Sequence, residues 1–87
     1  MEKKEQVLVA IYHIEQSRAH APFPITPAEV VTKTSLSEYR IKSAFLWLKE
    51  KGWLRGVKPG AFGPVHFFDG LTPEGRAEAE RLIAELG

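Results

Sequence analysis

Cysteine is absent from the 87 residues, and with it go disulfide staples, thiolate nucleophiles and thiolate metal sites. Stability has to come from packing, and the composition fits a reducing compartment. Asparagine is missing too, while Glu, Lys and Arg are plentiful, the balance expected of proteins adapted to heat. Long apolar runs are lacking: the longest, Val7 to Tyr12, falls far short of the roughly 20 residues that span a bilayer. The opening Met1-Glu-Lys-Lys-Glu5 carries acids that a secretion signal does not. A cytoplasmic location without membrane association is the expectation. A chain of this length buries one modest core and not two, so residues 1–87 are expected to form a single domain, which excludes a multidomain enzyme.

Periodicity orders what is there. Val7, Leu8, Ile11 and Ile14 recur at helical spacing, which predicts an amphipathic helix over residues 5 to 18, ended before Pro22. Ala21-Pro-Phe-Pro-Ile25 cannot be helical, and Phe23 and Ile25 alternate as in a short edge strand. Thr26-Pro-Ala-Glu29 is a helix start with a capping box, and this second helix runs to about Lys33. Ser35-Leu-Ser-Glu38 repeats the capping-box spacing and opens a third helix with Ile41, Ala44, Phe45 and Leu48 on one stripe, stopped at Gly52. Trp53 to Lys58 and Val65 to Phe68 read as two strands of a hairpin joined by the six residues Pro59 to Pro64. Thr72-Pro-Glu-Gly75 opens a last helix with Ala79, Leu82, Ile83 and Leu86 as its apolar face. The class is α+β and mostly helical.

Motifs of catalysis or cofactor binding are missing. His13, His20 and His66 include no pair at the i, i+4 spacing of helical metal ligation, and no acidic cluster supports them. Gly60-Ala-Phe-Gly63 is too short for a phosphate loop and lacks its Lys-Ser/Thr. No nucleophile elbow surrounds any serine. Neither enzyme activity, nor a metal, nor a cofactor is expected.

Helix, short strand, helix, tight turn, helix, hairpin, helix: this order resembles the winged helix-turn-helix domain of small prokaryotic transcription regulators, a three-helix core with a two-stranded wing and a C-terminal helix. Leu36-Ser37, Leu48-Lys-Glu-Lys-Gly-Trp-Leu54 and Leu71-Thr-Pro-Glu-Gly-Arg76 look like phrases of that family, and the match runs from about Val7 to Leu86. The resemblance implies a regulator that binds double-stranded DNA as a homodimer, with the third helix in the major groove and the wing on the backbone. It puts Ser37, Tyr39, Arg40, Lys42 and Ser43 at the bases, with Arg40 suited to a guanine edge. Lys33, Lys49, Lys51, Arg55 and Lys58 become phosphate contacts.

Charge supports that placement independently. The net +1 conceals a partition: residues 33–58 carry +5, residues 1–32 carry −1 and residues 59–87 carry −3. The basic stretch is the one the fold would turn toward a polyanion. Glu38 opposes groove entry and is read as serving the capping box from Ser35. Leu46-Trp47 departs from the family, whose members carry charges there. The pair either packs under a terminal helix or joins Phe62 in a partner surface. The second case makes the chain a protein-interaction module of a transcription or replication assembly.

Overall fold

The computed structural model describes residues 1–18, 24–60 and 63–86, with the side chains of Gly63, Pro64 and His66 outside the description. Within these limits it is α+β and mostly helical. Helix α1 spans Lys3–Ser17, two residues earlier than the apolar spacing suggests. It starts there because Glu5 Oε1 accepts from the Glu2 N–H at 2.8 Å, satisfying a donor that the helix leaves free. Val7, Leu8, Ala10, Ile11 and Ile14 form its buried stripe. Residues 19–23, which include His20, Pro22 and Phe23, lie outside the described residues.

Helix α2 spans Pro27–Thr34 and helix α3 spans Glu38–Lys51, joined by a turn of three residues. Their caps differ from the sequence expectation. Thr26 precedes α2 without a side-chain capping bond, and the Glu29 side chain, expected to close the box, pairs with Arg18. Ser35 does not open α3. It ends α2 in the left-handed region (φ 61°), its N–H donating to the Val31 carbonyl at 2.8 Å. The cap of α3 is Ser37, whose Oγ accepts from the Arg40 N–H at 3.3 Å. Glu38 therefore sits in the first turn, where the helix dipole favours a carboxylate. Ile41, Ala44, Phe45 and Leu48 are buried as the spacing predicts, and Gly52 ends the helix.

The expected single hairpin is four short strands in two ladders. Strand β1 (Leu54–Arg55) pairs antiparallel with β4 (Gly70–Leu71), while β2 (Lys58–Gly60) pairs with β3 (Gly63–Phe67). The break falls at Gly56, whose φ of 68° turns the chain in a way that side-chain-bearing residues resist. The β2–β3 register is irregular between Lys58 and Gly60, across Pro59, which has no N–H to give the ladder. The hairpin tip is also tighter than six residues, since Gly60 faces Gly63. Ile25 and Phe68 exchange backbone hydrogen bonds at 2.8 and 3.1 Å, an isolated antiparallel bridge just beyond β3 in place of the expected edge strand.

Helix α4 spans Pro73–Leu86 and buries Gly75, Ala79 and Leu82. Gly75 is required by approach: a Cβ there would stand 2.8 Å from both the Cβ and the carbonyl oxygen of Trp53. Two residues assigned to the apolar face are not covered. Ile83 is half-buried, and Leu86, at 69% exposed, continues the stripe into a last turn with nothing over it. All four helices, β1, β3 and β4 contribute to one core cluster, in which Phe45 meets Phe68 edge to face at 5.3 Å. No helix among the described residues is long and apolar enough to cross a membrane.

Candidate functional site

Burial of one stripe of α3 dictates the rest of its surface. At 100° per residue, the direction opposite Ile41 and Leu48 is occupied by Tyr39, Ser43, Leu46 and Glu50. Lys42 and Lys49 lie along one flank, Arg40 and Trp47 along the other. All of these are exposed except Trp47. Tyr39 is 80% exposed and Leu46 43%.

The residues assigned to base contact thus fall into two kinds. Tyr39, Arg40, Lys42 and Ser43 share the open surface of α3. Ser37 is exposed at its start, with Oγ committed as an acceptor to the helix cap. The residues assigned to phosphate are spread more widely. Lys33 is exposed in the last turn of α2, and Lys49 and Lys51 in the last turn of α3. Lys51 Nζ stands 6.0 Å from the centre of the Trp53 ring. Lys58 is exposed on β2. The Arg55 guanidinium lies back along its own ladder, with Nη2 2.9 Å from where a Cβ on Gly70 would stand.

Leu46 and Trp47 part company. Trp47 is half-buried against the core, meets Trp53 edge to face at 5.4 Å, and carries Lys4 Nζ 4.7 Å from its ring centre. Of the first and the last helix, either of which could have covered it, the start of α1 is the one that supplies Lys4 to its ring. Leu46 remains exposed. Phe62 lies outside the described residues.

A groove of about 420 Å³ opens between the first turn of α1 and α3, with Lys3, Lys4, Tyr39, Arg40, Ser43 and Trp47 in its walls. Lys3 and Lys4 are neighbours of the candidate surface that the chain order conceals. Their signal was nonetheless present: Lys4 stands four residues before Leu8 and seven before Ile11, so it prolongs the stripe of α1 that packs on α3.

The electrostatics divide the molecule. Arg76 Nη2 donates to Glu15 Oε1 at 2.6 Å, while Glu15 Oε2 accepts from the Leu71 N–H at 2.6 Å. This hydrogen bond and the charge of Glu15 push the Arg76 guanidinium above its ordinary value. Arg81 holds Glu78 and Glu85, and Arg18 holds Glu29. Donation from Arg81 lowers the Glu78 carboxyl below its usual range. By contrast, none of Lys33, Arg40, Lys42, Lys49, Lys51, Arg55 and Lys58 forms an ion pair among the described residues.

No family model, curated protein or solved structure matches the chain. Function has to be argued from the surface itself. Among the described residues no group of three or more His, Asp or Glu side chains is gathered so as to hold a metal. What the α3 surface offers is cations on both flanks that form no ion pair among the described residues, with hydroxyl and aromatic groups between them that can hydrogen-bond or stack. Such an arrangement suits a polyanion.

Proposed function

We propose that the chain is a winged helix-turn-helix domain that binds double-stranded DNA as a transcription regulator, presenting the exposed face of α3 to the major groove. One observation carries the reading: among the described residues the cations of residues 33–58 form no ion pair, whereas Arg18, Arg76 and Arg81 are each paired. Unpaired cations held together repel one another, and phosphates relieve that repulsion while releasing counterions. The element order supports the same reading, with a three-residue turn between α2 and α3 and a β2–β3 hairpin as the wing. Arg40, Lys42 and Ser43 then face base edges, and Lys33, Lys49, Lys51 and Lys58 face phosphates. A homodimer would supply the second half-site that one such helix lacks, and the exposed Leu86 on α4 favours pairing through that helix.

Fluorescence anisotropy with duplex DNA over a salt series from about 50 to 200 mM tests this. Were about four cations to meet phosphates, log affinity falls against log salt with a slope near −3.6 per monomer. Binding that is absent at the lowest salt, or independent of salt, overturns the proposal.

A second reading, a protein-interaction module, is favoured by Leu46. It is 43% exposed on the crest of α3, beside Glu50, where a polyanion has no use for either. Leu46→Ala separates the two: a folded variant that keeps its DNA affinity and salt slope but loses a protein partner supports the module.

A further inference from the structure

We propose that the groove between α1 and α3 is a subsite for an unpaired nucleotide of a DNA strand, so that the preferred ligand is a duplex carrying a single-stranded tail. The inference deepens the duplex-binding reading and rests on it.

Three cations, Lys3, Lys4 and Arg40, line the groove together with the rings of Tyr39 and Trp47 and one carboxylate, Glu2. Sites for single strands combine a positive channel for the backbone with aromatic rings on which bases stack. Glu2 weakens the field, yet its Oε2 lies 3.5 Å from Lys4 Nζ, so its charge is turned toward a wall cation.

The two rings have different roles. Trp47 is already occupied, with Lys4 over its face and Trp53 against it edge to face. It thereby fixes an ammonium at the wall of the groove. Tyr39 is free: it is 80% exposed, whereas the other aromatic side chains described are buried or half-buried. An exposed ring on a helix adds little to folding and keeps a π-face open to a base.

Size then excludes the whole duplex. A duplex is read by inserting protein into a groove about 12 Å wide, and a concavity of about 420 Å³ cannot take a double helix in. That volume lies within the range of small-ligand clefts, about 300–1,000 Å³, which suits one nucleotide. Arg40 joins the two surfaces, since it belongs to the duplex-facing set and also lines the groove. A strand leaving a duplex seated on α3 reaches Tyr39 and Lys3 by passing along that flank.

The test compares one labelled duplex, blunt or carrying about four unpaired nucleotides at either end, with the single strand alone, by anisotropy at fixed salt. A tail of the correct polarity is expected to tighten binding about tenfold. Tyr39→Ala should bring the tailed-to-blunt ratio near one, and Tyr39→Phe should preserve it. Lys3→Ala should lower the ratio while leaving blunt-duplex affinity within about twofold. Tyr39 and Lys3 are both exposed, so these variants keep the fold. Equal affinity of the native chain for tailed and blunt duplexes overturns the subsite and leaves the duplex reading standing. A ratio unchanged in both Tyr39→Ala and Lys3→Ala likewise overturns it. Binding of tailed or single-stranded DNA without binding of the blunt duplex supports the groove and overturns the duplex reading. Binding of none overturns both.

Discussion

Where α1 meets β4 and α4, Arg76 grips Glu15, and further along α4 Arg81 grips Glu78 and Glu85. On α3, Arg40, Lys42 and Lys49 are exposed and form no ion pair among the described residues. Both regions are rich in charge, and they differ in its sign, residues 33–58 carrying +5 and residues 59–87 carrying −3. They differ also in partnership. In the first region charge ties elements together, since Glu15 joins α1 to the backbone of β4 and to the side chain of Arg76 on α4. In the second it is held in reserve, at the cost of repulsion between like charges. Across the boundary, the charge of Lys51 in the last turn of α3 also helps to lower the Glu78 carboxyl.

The sharpest way to break this contrast is to remove Glu15. Its side chain is 18% exposed, and Glu15→Ala leaves the N–H of buried Leu71 without its acceptor and Arg76 without its anion. The expected loss is about 2–3 kcal/mol of unfolding free energy in urea, a fall in Tm of about 8–24 °C at about 4–8 °C per kcal/mol for a domain of this size. Lys42→Ala, by comparison, should stay within about 0.5 kcal/mol of the native chain. Equal losses in the two variants would mean that pairing does not separate the regions.

Much of this could be read from residue order, and the misses share a cause. The helices and the α3 stripe follow from a period of 3.6 residues, which is local information. The choice between Ser35 and Ser37 as cap is also local, but two overlapping cap spacings compete there and only the left-handed turn at Ser35 decides between them. The pairing of β1 with β4 joins Arg55 to Gly70 and Leu54 to Leu71, residues 15 and 17 apart, and a hairpin pattern gives no hint that Gly56 splits it. Lys3 and Lys4 entered the candidate surface only once α1 was laid on α3. For the same reason Trp47 could be read as core or as interface until Lys4 and Trp53 were found against it. Which cations are exposed was legible; which lack partners was not, because Glu15 and Arg76 meet across 61 positions.

Arg40→Ala sharpens the comparison from the other side. It should cost about tenfold in affinity for a selected DNA site, within the about 1–3 kcal/mol that a bidentate base contact supplies, and relax preference at one base pair. Its stability should remain within about 0.5 kcal/mol of the native chain. Arg76→Ala should do the reverse, lowering stability and leaving the DNA affinity of the folded protein intact. Anisotropy and urea unfolding on both variants provide the four numbers. Loss of affinity in both, or in neither, removes the assignment of Arg40 to base reading.

The smallest effect concerns Glu78. Arg81 donates to this carboxylate and holds it below its ordinary range, so the folded chain binds that proton less readily than the unfolded one. The sign follows from linkage: the pair stabilises above the unfolded value of about 4.3 and loses its contribution as the pH falls through the lower folded value. Both partners lie at the surface of α4, where water screens them, and the contribution is correspondingly slight. Glu78→Gln should therefore melt marginally below the native chain at neutral pH, and the two melting curves should converge in acid. A gap that widens as the pH falls would show that Arg81 does not hold Glu78 in solution. Arg81 would then rest on Glu85 alone among the described residues, and the paired character of α4 would depend on that one exposed contact.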